Sequence, residues 1–244
     1  DDDFSGFVFK IQANMNKAHR DRIAFLRVVS GRFDADKEVY HVQGGKKIKL
    51  SRPQQLMAAE REIIEEAYAG DIIGVFDPGI FSIGDTLCAP GKKFKFDPIP
   101  TFAPEHFRRV RPLDTMKRKQ FLKGMEQIAQ EGAIQIFKTP YTGMEEVIVG
   151  VVGTLQFDVL EYRLKNEYNV DLYMEGLPYE YLRWIENDTG EPLKEDDLIL
   201  GTDVKLVEDY KGNQLLLFAS QWSINWVQEK NKNLTMSEFG GARD

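Results

Sequence analysis

The stretch "FDPIPTFAP", residues 96–104, places three prolines in nine residues between two different hydrophobic patterns. Proline lacks a backbone N–H and fixes φ, so neither a strand ladder nor a helix runs through such a segment. The chain must therefore change architecture here. Before the break, residues 4–96 read as short β-branched and aromatic runs separated by turn signals: "FSGFVFKIQ", "RIAFLRVVSG", "EVYHV", "KIKL", "QLMA", "DIIGVF" and "DTLC". Seven short strands with turns at "FDAD", Gly44-Gly45 and Pro78-Gly79 predict a closed β-barrel over residues 1–97.

After the break the periodicity alternates between strand and helix. "HFRRVRPL" reads as a strand. "DTMKRKQFLKGMEQIAQEG" then reads as a helix capped by Asp114 or Thr115, stopped by Gly132 and striped by Met116, Phe121, Met125, Ile128 and Ala129. "AIQIFK" and "EEVIVGVV" follow as strands. "GTLQFDVLEYRLKNEYN" is a second helix with Leu155, Val159, Tyr162 and Leu164 expected inward, and "VDLYMEG" is a further strand. This β-α-β-β-α-β order predicts an α+β domain over 98–244, with a ferredoxin-like core at about 105–178. The extension, residues 179–244, adds the strand-like "EYLRWIEN", "DVKLVED" and "QLLLFAS" and the short helix "QWSINWVQEKN", on which Trp222 and Trp226 are expected to form one packed face.

Composition narrows the function classes. The 244 residues include one cysteine, which excludes a disulfide framework and multi-cysteine zinc patterns and favours a reducing, cytoplasmic setting. Cys88 follows an apolar run and reads as an inert, half-buried thiol. Apolar runs are too short for a membrane span, and the N-terminus opens on three Asp and no Met, which reads as a part of a longer protein. Net charge is -7, but residues 105–123 hold seven basic and two acidic residues while 171–209 hold three and twelve. The second body is thus expected to be bipolar. A local basic face fits a polyanion even though the total is acidic.

No catalytic or cofactor motif emerges. "EEAYAGDIIGVFDPGIFSIGDTL", residues 65–87, concentrates Gly and Asp, yet the chain contains no G-x-x-x-x-G-K-[ST] loop and no G-x-G-x-x-G after a strand. Its Gly and Asp flank the apolar runs "IIGVF" and "FSI", where a barrel needs corners. "DADKE" starts like a calcium loop, but Val39 replaces the required Gly, and the three His, at 19, 41 and 106, form no H-x-x-x-H pair. No catalytic, cofactor or metal residue is therefore assigned. Two clusters point to an anionic partner. Lys17, His19, Arg20 and Arg22 lie on the long loop "ANMNKAHRDR"; Arg108, Arg109 and Arg111 on a strand precede Lys117, Arg118, Lys119 and Lys123 at a helix start. Cations at a helix N-terminus oppose its dipole, so such placement favours an external anion such as a phosphate backbone.

The runs "FSGFVFKIQANM", "HRDRIAFLRVVSG", "EEAYAGDIIGVFDPGIFSIGDTL", "FAPEHFRRVR" and "GTLQFDVLEYRLKNEYNV" together resemble the bacterial peptide chain release factor 3 family of translational GTPases. The "AGDI" and "IGDTL" skeleton alone resembles the second domain of translational GTPases generally. The resemblance runs from about residue 4 to 186 and thins over 187–213. It implies a β-barrel of the translation-factor second-domain type, followed by an α/β third domain, without the GTP-binding domain that precedes both. It also implies a likeness to factors that bind GTP on the ribosome and recycle the stop-codon-reading class I release factors.

By that resemblance the partners are the ribosome, the class I release factors and the chain's own N-terminal GTP-binding domain, the last holding GTP and magnesium. A monomer is expected. Lys17, His19, Arg20, Arg22, Arg108, Arg109 and Arg111 match a family loop and strand, and are expected to touch ribosomal RNA or the absent domain. The alternatives are another ribosomal GTPase, of the elongation factor G or ribosomal protection type, and a free-standing enzyme with a small-molecule cleft. Co-sedimentation with ribosomes against a metabolite thermal-shift screen separates these classes.

Overall fold

A computed structural model describes residues 3–13, 22–50, 54–57, 60–92, 94–97, 103–140 and 147–238. The chain forms two compact units, one made chiefly of residues up to 99 and one chiefly of residues from 100 onward.

The first unit contains ten strands: β1 (Ser5–Ala13), β2 (Arg22–Ser30), β3 (Arg32–Asp34), β4 (Val39–His41), β5 (Lys46–Ile48), β6 (Gln54–Met57), β7 (Glu60–Ile63), β8 (Glu66–Tyr68), β9 (Ile72–Asp77) and β10 (Thr86–Cys88). Eight make an antiparallel sheet in the order β5-β4-β10-β1-β2-β9-β6-β7, and β3 pairs with β8. Along β1 and β2 the register slips between Ser5 and Gly6 and again between Val8 and Lys10. Such bulges bend a strand and increase its twist, which lets a sheet curl round a core. That core holds Val8, Ala24, Leu26, Val28, Phe33, Ile73, Val75, Phe81 and Leu87. The barrel is less closed than its sequence suggests: among the described residues no ladder joins β5 to β7. Strands β3, β7 and β8 are not among the seven runs read from the sequence.

The Gly and Asp residues of 65–87 serve as corners. Gly70 and Gly84 sit at φ +95° and +92°, where a side chain is strained. Asp71 Oδ2 accepts the Tyr68 N–H at 2.9 Å, and Asp85 Oδ2 accepts that of Ser82 at 2.9 Å. Asp77 Oδ1 accepts the N–H groups of Gly79, Ile80 and Phe81 at 2.8, 2.8 and 3.3 Å. These are turn-forming bonds of the kind Asp makes with the backbone close to it in sequence. Cys88 is buried, its Sγ donates to the Lys92 carbonyl at 3.4 Å, and burial pushes the thiol pKa up. A protonated, buried thiol is a poor nucleophile. Alkylation of Cys88 is expected to proceed only on unfolding, which a mass-spectrometric labelling course in denaturant checks.

The second unit begins β11 (His106–Pro112), α1 (Arg118–Gln130), β12 (Gln135–Lys138), β13 (Val147–Val151), α2 (Leu155–Tyr168) and β14 (Leu172–Leu177). Their sheet order, β14-β11-β13-β12, is that of a ferredoxin-like split βαβ fold, with every neighbouring pair antiparallel. Asp114 caps the 3-10 turn that leads into α1, its Oδ1 accepting the Met116 N–H at 2.9 Å. Asn169, at φ +54°, ends α2 by donating its backbone N–H to the Leu164 and Lys165 carbonyls.

The extension continues this sheet. β15 (Tyr181–Asn187), β16 (Val204–Asp209), β17 (Gln214–Phe218), α3 (Gln221–Lys230) and β18 (Leu234–Ser237) add the order β16-β17-β15-β18, joined where Phe137 and Lys138 pair with Asp209 and Glu208. One core lies between α1, α2 and the sheet, including Val110, Phe121, Met125, Val149, Phe157 and Leu160. A second unites Phe107, Phe137 and Ile148 with Leu182, Val207, Leu215 and Leu217. A third lies under α3 and includes Leu206, Leu216, Phe218, Ile224 and Val227.

Three helix-face expectations are corrected. Met116 is 90% exposed, because it lies in the 3-10 turn before α1 and off its inner stripe. Helix α2 buries Phe157, Leu160, Leu164 and Tyr168, whereas Leu155, Val159 and Tyr162 face outward. Both stripes have helical spacing, and the one carrying Phe157 and Tyr168 offers the larger apolar area to the sheet. Helix α3 turns Ser223, Ile224 and Val227 inward and leaves Trp222 68% exposed. Accordingly, Leu155→Ala and Tyr162→Ala should each change unfolding free energy by less than about 0.5 kcal/mol in urea titrations. A loss above about 2 kcal/mol would place that stripe in the core.

Candidate nucleic-acid interface

Side chains alternate across a strand, so the three arginines of β11 cannot share one surface. Arg108 points with Val110 to the helix side, where its guanidinium lies 4.3 Å from the centroid of the Phe157 ring. Arg109 and Arg111 point the other way, toward the sheet edge formed by β14. There the register sets Arg111 opposite Tyr173 and Arg109 opposite Glu175. The Arg111 guanidinium stacks 4.5 Å from the Tyr173 centroid, and Arg109 Nη1 lies 3.1 Å from Glu175 Oε2. Stacking and pairing hold both guanidinium groups in place while Tyr173 stays 45% exposed.

The helix-start cations lie at the end of β11. Lys117 is half-buried and donates from Nζ to the Asn169 carbonyl at 2.7 Å, so it satisfies the C-terminal end of α2. Arg118 and Lys119 are exposed, and Leu113 and Met116 project beside them at 57% and 90% exposure. In the last turn of α2, Lys165 pairs with Asp171 at 2.9 Å. Arg109 and Arg111, with Tyr173 stacked on Arg111, lie on the face of β11 away from the helices, and Arg118 and Lys119 lie at the start of α1 on the helix side; these are the cations placed to meet an external polyanion. Tyr173 escapes sequence reading because its value lies in the cross-strand register with Arg111.

The remaining sequence candidates fall elsewhere. Arg22 is corrected from a surface cation to a core residue: it is 5% exposed, and Nη2 pairs with Asp77 Oδ2 at 2.9 Å. It starts β2, and the β2–β9 register places Arg22 directly opposite Asp77. Lys17, His19 and Arg20 lie outside the described residues. Arg108 borders a groove of about 730 Å³ whose walls include His106, Phe157, Tyr179, Tyr181 and Arg183. Arg183 pairs there with Glu238 at 3.3 Å, and burial pushes the Tyr179 hydroxyl pKa up. The groove carries both signs of charge and is not a uniform phosphate channel.

Residues 96–228 match the family described as class II release factor RF3, C-terminal domain, and residues 3–90 match elongation factor G domain 2. The chain belongs to the release factor 3 family. The protein from Symbiobacterium thermophilum named peptide chain release factor 3 is 53% identical over 240 residues, covering 98% of this chain and 44% of its own length. Proteins of the same name from Gloeobacter violaceus and Macrococcus caseolyticus are each 46% identical, over 238 and 230 residues, covering 98% and 94% of this chain. The chain spans less than half the length of these release factor 3 relatives, 44% and 43% respectively for the last two. The elongation factor match agrees with the barrel of the first unit, and the release factor 3 match takes in the ferredoxin-like sheet and its continuation through α3. No helix among the described residues is long and apolar enough to cross a membrane.

Proposed function

We propose that this chain is the ribosome-facing part of a cytoplasmic peptide chain release factor 3, a GTPase that promotes departure of the stop-codon-reading class I release factors after peptide release. The observation that carries this reading is 53% identity over 98% of the chain to a protein of that name. In this reading GTP and its magnesium are held by a GTP-binding domain outside this chain. The chain supplies no catalytic residue; it binds as a monomer and positions the factor. The cations Arg109, Arg111, Arg118 and Lys119 support contact with ribosomal RNA, since phosphate contacts position a protein on nucleic acid without reading sequence.

The test is co-sedimentation of the full-length factor with purified ribosomes over a salt series, together with a turnover assay for class I factor release. Binding that weakens linearly in log-log salt plots, and release that depends on the factor and GTP, are expected. Salt-independent binding, or failure to accelerate release, refutes the reading.

A further inference from the structure

The eight-stranded sheet of the second unit has β14 and β18 as its edges, with β15 next to β18. Laid flat, such a sheet would hold β14 and β15 roughly 29 Å apart, at the usual spacing of paired strands. Residues 178–180 alone join them, and a link of that length spans at most about 14 Å. The sheet must therefore curl until its ends approach. The groove of about 730 Å³ lies where they do: its walls take Leu177 from β14, Tyr181 from β15 and Glu238 from just beyond β18, with Arg108 of β11 beside them. Of the half-buried arginines in this unit, Arg109, Arg163 and Arg183 hold the carboxylates of Glu175, Glu167 and Glu238. Arg108 and Arg111 are stacked instead, and of these two Arg108 lines the groove. Its guanidinium rests on the buried Phe157 ring, with Nη1 4.0 Å from the Met174 sulfur, and no carboxylate among the described residues pairs with it. Stacking thus fixes a permanent cation whose planar fork keeps N–H donors to spare.

Charge and surface identify what fits. Glu105, Glu180 and Glu238 are exposed around the groove, so a phosphate chain that reached Arg108 would meet repulsion on either side of it. An isolated anion does not. A single carboxylate matches the guanidinium fork, which can hold it through two parallel hydrogen bonds. Between the charges lie half-buried Leu177, Tyr179 and Tyr181 and exposed Pro178, an apolar and aromatic floor suited to aliphatic side chains. The space is larger than one small carboxylate fills, and the alternation of cation, apolar floor and acids matches successive side chains of a chain laid across it. We infer that this groove binds an extended polypeptide segment that presents one Asp or Glu carboxylate to Arg108 and apolar neighbours to the Tyr179 and Tyr181 floor.

Two measurements test it. In the first, a random heptapeptide library displayed on phage is selected on this chain and counter-selected on Arg108→Gln. Enriched peptides should share one Asp or Glu beside apolar residues and, once synthesised, should lose about tenfold or more in calorimetric affinity for Arg108→Gln, as the loss of a charge-assisted bidentate contact requires. Changing the peptide's acid to its amide should cost a similar factor, and the two losses should not add. Arg108→Lys keeps a cation over Phe157 without the fork and should bind several-fold more weakly; it replaces Arg108→Gln throughout if circular dichroism shows that variant to be unfolded. Arg111→Gln, on the other side of β11, should bind as the wild type does. No enrichment over the Arg108 variant, or enriched peptides that lack an acid, overturns the inference. In the second, labelled oligouridylate is titrated into the wild type and the Arg108 variant. Equal affinity, or no binding to either, supports a polypeptide ligand; a loss of about tenfold with the variant assigns the groove to RNA and overturns it.

Discussion

Replacing Asp77 with alanine will destabilise the barrel by roughly 3–5 kcal/mol, as expected when one member of a buried ion pair is removed. The side chains of Arg22 and Asp77 are 6% and 0% exposed, so the substitution takes a carboxylate away from a guanidinium in a place water barely reaches. The same substitution also takes away the acceptor of three backbone N–H groups at residues 79–81. Each N–H left unsatisfied adds about 1–3 kcal/mol of desolvation cost where water cannot replace the acceptor. Arg22→Met should cost less, because Asp77 keeps its turn bonds and loses only the partner of Oδ2. The double variant Arg22→Met/Asp77→Asn should be more stable than the sum of the two single losses, since neither charge is then stranded. Urea unfolding of the wild type, Arg22→Met, Asp77→Asn and the double variant gives the coupling directly. Strict additivity would mean that the ion pair contributes nothing to the β2–β9 junction.

Reversing Arg109 and Arg111 to glutamate in the full-length factor should reduce ribosome affinity by about tenfold or more near 0.1 M salt, with the log-log salt slope becoming shallower by about one for each phosphate that the protein no longer neutralises. Both substitutions act on one face, beside Glu175, where the added carboxylates also repel one another. Arg108→Glu is the control. Arg108 lies on the opposite side of the strand against Phe157, and its reversal should affect the slope far less. Equal effects of Arg108 and Arg111 would show that the sheet edge does not meet the RNA. Pelleting assays at several salt concentrations distinguish the outcomes, and far-ultraviolet circular dichroism checks that the variants are folded.

Much of this protein follows from local pattern. The proline-rich break, the long strands β1, β2 and β9, the helices and the β-α-β-β-α-β order all depend on short-range periodicity, turn residues and caps, which are properties of neighbouring residues. The Gly and Asp of 65–87 are legible as corners for the same reason: positive φ at Gly70 and Gly84 and Asp-to-backbone bonds are formed within a few residues.

What the pattern could not decide is set by partners distant in the chain. Arg22 belongs by sequence to a basic loop, yet Asp77, 55 residues away, makes it part of the core. Leu155, Val159 and Tyr162 have the spacing of an inner face, yet the sheet receives Phe157, Leu160 and Leu164. Three cationic positions in "RRVR" become two opposed surfaces because a strand alternates, and Tyr173 joins Arg111 through register alone. The sequence by itself determined the longer strands, the helices and the turns between them, because those are local free-energy choices. Only the tertiary structure decided which charges are buried and which face outward, because burial and pairing depend on segments that meet after the chain has folded.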